Sequence, residues 1–136
     1  MAITIGKFIN ASLRANEALM GRVKSRVYPV VVPDWEHADA PYIWYFSESS
    51  SELSDKDGMY GYLSVVNIEV VASSYDEMID LASMVVNAVK NYVDEWNSNN
   101  EDFHVTESTL KAGPESYNDL DQCYSRVLSF DFITES

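Results

Sequence analysis

The sequence predicts an α+β fold, a two-layer sandwich in which two helices pack on a mostly antiparallel sheet in the order α-β-β-β-α-β-β. Three observations carry it: apolar residues at helical spacing near the N-terminus, a capped helix opening at Ser74, and five stretches with the alternation or β-branched content of strands. A chain of 136 residues with 46% apolar and 23% charged residues suits one globular domain spanning 1–136.

Ile5, Phe8, Ile9, Leu13, Leu19, Met20 and Val23 recur at helical spacing and predict a first amphipathic helix from Ile5 to Val23. Gly21 falls near its end, where glycine relieves the left-handed residue that often closes a helix, and Arg22 and Lys24 suit the negative terminus. Arg26 to Val32 is β-branched and reads as a strand. Pro29 fixes φ and lacks an N–H, which confines that strand to an edge or a bulge, and Pro33 and Pro41 mark strand ends for the same reason. Tyr42 to Ser47 reads as the next strand. The serine-rich, acidic run from Ser47 to Gly58 reads as a solvated loop or long hairpin tip.

Met59 to Ala72 is the longest strand signal. Val66, Ile68 and Val70 project to one face, yet Leu63, Val65 and Val71 fall on the other, so this strand is covered twice within the chain or partly by another subunit. Ser74-Tyr75-Asp76-Glu77 matches a capping box, and Met78, Ala82, Val85, Val89, Tyr92 and Trp96 form the stripe that packs on the sheet. Burial of that stripe contributes roughly 10 kcal/mol as an upper bound. Asn97 to Asn100 reads as a break. Phe103 to Leu110 and Cys123 to Ile133 read as a closing strand pair with Gly113 and Pro114 at the turn, and Tyr124, Leu128, Phe130 and Phe132 share the core face.

The formal net charge is -13, and it is distributed unevenly. Before Tyr28, five bases (Lys7, Arg14, Arg22, Lys24, Arg26) face only Glu17, a surplus of +4; from Tyr28 onward four bases face 21 acids, leaving -17. Such a surface repels phosphate backbones and disfavours both sequence-specific nucleic-acid binding and an anionic membrane. The single cysteine, Cys123, forms no intrachain disulfide, and neither an export signal nor a membrane span is expected.

No catalytic or cofactor signature stands out, and no cofactor or metal is expected. His37 and Asp39 invite a metal reading, but no second ligand pair supports it and an acidic loop explains them. Cys123 with His104 as base, or a site around His37, would be the makings of a hydrolase; a lone cysteine opening an alternating strand is more simply structural. The aromatic set Trp35, Tyr42, Trp44, Tyr45, Tyr60 and Tyr62 offers the alternative of a small-molecule or peptide binding module using a face around Trp44 and Tyr45. Core and subunit contact explain it better.

Taken in order, Arg26-Val27-Tyr28-Pro29, Ala40-Pro41-Tyr42-Ile43, Val66-Asn67-Ile68-Glu69-Val70, Tyr75-Asp76-Glu77-Met78 with Leu81-Ala82, and Tyr124 to Phe130 resemble the tail-completion proteins of long-tailed bacteriophages, also called tail terminators or head–tail joining proteins. The serine-rich loop and the long segment from Glu101 to Gln122 depart from that pattern. The resemblance implies a non-enzymatic ring, commonly of six subunits, made in the bacterial host cytoplasm and placed at the head–tail junction of a virion. Its partners would be further copies of itself, the tail-tube protein and the head connector. A ring needs two different complementary patches. The sequence offers Arg14, Arg22, Lys24 and Arg26 against the acidic Glu48, Glu52, Asp55 and Asp57, with Leu63 and Val65 as apolar contact residues and part of the acidic surface lining a pore.

Overall fold

The computed structural model describes residues 4–32 and 39–135. Pro33, Trp35 and His37 lie outside the described residues, so the metal and hydrolase readings at His37 and the strand-end reading of Pro33 do too.

The predicted first helix is two: α1 (Ile5–Ala15) and α2 (Glu17–Val23). Asn16 adopts an extended conformation between them, and its side chain accepts the Leu19 N–H at 3.0 Å, so a residue that interrupts the apolar pattern also caps the second piece. Gly21 sits inside α2. The left-handed closing residue is Lys24, at φ 52°, which corrects the role assigned to Gly21.

The sheet has five strands in the order β1-β2-β3-β5-β4: β1 (Val27–Pro29), β2 (Tyr42–Asp55), β3 (Gly58–Ala72), β4 (His104–Asn118) and β5 (Cys123–Glu135). Only β1 and β2 run parallel. Pro29 ends β1 at the sheet edge as its missing donor requires, and Pro41 stands just before β2. The predicted strand to Val32 stops early because Val30 turns to φ 65° and the Val31 N–H folds back on the Pro29 carbonyl at 2.6 Å, a γ-turn of the uncommon hand.

The run from Ser47 to Asp55 continues β2 as one arm of a long hairpin rather than a loop. The second predicted helix also divides, into α3 (Tyr75–Asn91) and α4 (Val93–Asn99) around Tyr92. Ser74 Oγ accepts the Glu77 N–H at 3.2 Å, the Ser half of the predicted capping box. Asn97 to Asn99 remain helical, because Ser98, Asn99 and Asn100 return hydrogen bonds to the carbonyls of Asp94, Glu95 and Trp96. Gly113 and Pro114 lie inside β4, at a bulge between Ala112 and Glu115, and the reversal comes later, between Asn118 and Cys123.

All helices share one face of the sheet. Phe8 sits edge-on to Trp96 and Phe132, at 5.7 and 5.5 Å between ring centres, joining α1, α4 and β5. Val66, Ile68, Val70, Leu128, Phe130 and Phe132 meet Met78, Leu81, Val85 and Val89 in this core, as their alternation predicts. A smaller cluster of Val32, Tyr42 and Val71, flanked by Tyr28, Trp44 and Cys123, lies on the opposite face.

Candidate assembly surface

Beyond Tyr62, β3 pairs only with β2, so residues from Leu53 to Gly61 project past the sheet as a two-stranded arm. Serine and glutamate are poor strand formers, and here pairing with β3 overrides their preference. Ser50 and Ser64 share a hydrogen bond at 3.0 Å between their hydroxyls. At the tip the Asp57 N–H donates to Asp55 Oδ1 at 2.8 Å, and Gly58 takes φ 117°, a conformation that disfavours other residues. Gly61 roots the arm: a Cβ there would stand 2.5 Å from the Thr134 carbonyl oxygen.

Glu48 and Glu52 are exposed on β2 just before this arm, Asp55 and Asp57 are exposed at its tip, and Met59 and Tyr60 stand about half exposed beside them. Arg14, Arg22, Lys24 and Arg26 gather at the other end of the molecule, where β2 begins. Arg14 donates to the Asn10 side chain and the Val27 carbonyl at 3.0 and 3.2 Å, and Arg26 donates to the Pro41 carbonyl at 3.0 Å. Arg22 faces Glu77 at 3.9 Å. Each guanidinium has five donors, so these bonds leave others free. The 14 residues of β2 separate Pro41 from the arm tip by about 45 Å. Within one chain the basic cluster therefore does not reach the acidic tip.

Leu63 and Val65 share the helix-free face and are half-buried there, opposite Ile133 and Asp131 of β5. Trp44 lies on the same face, stacked on Phe46 with ring centres 5.3 Å apart, whereas Tyr45 points into the core. Successive strand residues face opposite ways, so the structure divides the proposed Trp44–Tyr45 face in two. Burial pushes the Glu69 carboxyl above its ordinary value, and a hydrogen bond from Trp44, its cross-strand neighbour, pulls part of the way back.

At the β4–β5 turn, Tyr42, Glu69, Asp119, Asp121 and Cys123 line an acidic hollow of about 410 Å³. Burial, then the charges of Glu69, Cys123 and Asp121, push the Tyr42 phenol up to about 12. Burial and Asp121 also raise the Cys123 thiol, which donates to the Asp121 carbonyl. His104 sits at the opposite end of the β4–β5 hairpin, paired with Glu135 while Cys123 pairs with Asn118, so the two do not form a nucleophile–base pair. Among the described residues no cluster of three or more histidine, cysteine, aspartate or glutamate side chains has metal-binding geometry, and no helix is long and apolar enough to cross a membrane.

Sequence reading missed three exposed apolar points: Val30 and Val31, 64% and 67% exposed, and Leu120, 94% exposed. The first two were assigned to a strand, and only the γ-turn turns them outward.

No family model matches the chain, and no curated protein matches it in sequence. Among solved structures it is similar in fold to a chain described as "Virion of native gene transfer agent (GTA) particle", at 20% identity and a TM-score of 0.61, over 94% of this chain and 92% of that one. A second solved chain aligns at 13% identity with a TM-score of 0.38, over 93% and 94% of the two chains. That second likeness carries no argument.

Proposed function

We propose that this chain is a structural protein of a phage-like particle that caps the tail tube and joins it to the head connector as a homo-oligomeric ring, commonly of six copies. The supporting observation is a fold held in common, along nearly the whole chain, with a component of a gene transfer agent virion. The sequence resemblance to tail-completion proteins points the same way. The separated charges supply a means of assembly: the tip acids Asp55 and Asp57 of one copy meet Arg14, Arg22, Lys24 and Arg26 of the next. Such head-to-tail contacts close into rings when the rotation per copy permits. Leu63 and Val65 add apolar area on the helix-free face, and the remaining acids line the passage, where they keep a moving duplex from adhering.

Sedimentation of the purified chain, alone and with tail-tube ends, across a range of ionic strength tests this reading. A ring that forms at low salt and weakens as salt rises is expected. Tubes that bind no copies, or assembly indifferent to salt, would refute it. A ring image with a neutral or basic lumen would remove the pore-lining role.

A further inference from the structure

We infer that the outer edge of β2, from Ser47 to Asp55, accepts an added strand, and that its occupant is an extended lysine- or arginine-bearing segment of a different protein. This rests on the sheet edges and the charges along them and does not depend on the assembly proposed above. β1 covers β2 only from Ile43 to Tyr45, where the Ile43 N–H donates to the Arg26 carbonyl at 3.0 Å and the Val30 N–H donates to the Tyr45 carbonyl at 2.7 Å. Past Tyr45, β2 has no outer partner strand among the described residues. The bulge between Ser47 and Ser49 resets the alternation, and Ser50, bonded to core-facing Ser64, takes the same side as Ile43 and Tyr45. Residues on that side turn their backbone groups away from β3, so the N–H groups of Ser50 and Glu52 face outward.

The opposite edge of the sheet is guarded. Asn97 Nδ2 donates to the Val105 carbonyl at 2.9 Å while its Oδ1 accepts the Val105 N–H at 2.8 Å, occupying both edge groups as a strand would. Lys90 donates to the Ser108 carbonyl, and farther along β4 a bulge holding Pro114 interrupts the row. Along Ser47 to Asp55 the register shifts at Ser47/Ser49 and at Leu53/Ser54. Between those bulges no proline interrupts the strand, and among the described residues no side chain caps the outward N–H groups of Ser50 and Glu52.

Charge selects the occupant. Glu48, Glu52 and Asp55 flank the open edge with no base before Lys56, so two such edges from sibling copies would set carboxylates against one another. None of the five strands carries more than one lysine or arginine, so no strand of this chain supplies the complement. Backbone hydrogen bonds then provide affinity, and alternate basic side chains provide choice.

The probe is a synthetic nine-residue peptide alternating lysine with threonine and valine, set against the same peptide with glutamate in place of lysine, using the full chain. The lysine peptide is expected to bind, more weakly as salt rises, and to slow amide exchange at Ser50 and Glu52 about tenfold or more. Ser50→Pro places its ring on the outward side, which an edge position tolerates, and should abolish binding. Glu48→Gln with Glu52→Gln should weaken binding about tenfold. Failure of the lysine peptide to bind, unslowed exchange at those two amides, or equal affinity for the glutamate peptide would overturn the inference. Should Ser50→Pro fail to fold, the glutamine pair decides, and unchanged affinity there is likewise fatal.

Discussion

Asn97→Ala removes the side chain that holds the free edge of β4. Val105 is buried, and its N–H and C=O both end on Asn97, at 2.8 and 2.9 Å. Each buried backbone group left without a partner costs about 1–3 kcal/mol, so the pair costs about 2–4 kcal/mol once water reaches part of the gap. For 136 residues the unfolding entropy near the midpoint is about 0.3 kcal/mol per kelvin, which converts that loss into a fall of about 7–14 °C. Thermal unfolding followed by circular dichroism measures it. Opening the edge has a second signature, a concentration-dependent association absent from the parent, because unpaired strand groups recruit other strands. A midpoint within about 2 °C of the parent, with no new associated species, would refute the guarding role.

Val85→Asp places a carboxylate in the core between α3 and the sheet, with no partner, and no cooperatively folded protein should be recovered. Gly61→Ala should force β3 away from the Thr134 carbonyl and speed amide exchange from Leu53 to Met59, while exchange in α3 stays unchanged. Glu69 has a folded-state pKa above its unfolded one, so its ionisation penalises the fold. The penalty is absent in acid, grows as pH rises through the carboxylate range and is complete above the raised value. Glu69→Gln should therefore melt higher than the parent at neutral pH and show no such gain in acid. Ultraviolet titration should find the Tyr42 phenol ionising near 12, and Tyr42→Phe should remove that step.

Local signals were readable wherever the chain obeys them locally. The Ser74 cap, the core faces of β3 and β5 and the edge position of Pro29 all follow from short-range chemistry and appear as read. Misreadings arose where distant pairing outweighed local preference. Gly113 and Pro114 look like a turn, but β5 runs alongside them, and a Cβ on Gly113 would lie 3.0 Å from the Val127 carbonyl oxygen. The serines of β2 look like a loop until Val65, Ser64 and Leu63 pair with them. Charge signs at Arg14, Arg22, Lys24, Arg26 and along the acidic arm were plain, but the length of β2 that holds the two groups apart was not. Nor could composition show that Asn97 plugs a strand edge, since the bond depends on how α4 folds back on the start of β4.

The unequal treatment of the two sheet borders limits how far copies can string together. Fusion of sheets into a fibre needs a donor side and an acceptor side on every unit, and here β4 is capped at Val105 by Asn97 and at Ser108 by Lys90 and broken by the bulge at Pro114. A strand added along β2 would therefore meet capped backbone groups at Val105 and Ser108 on the far border, and could not pass its pairing on from there.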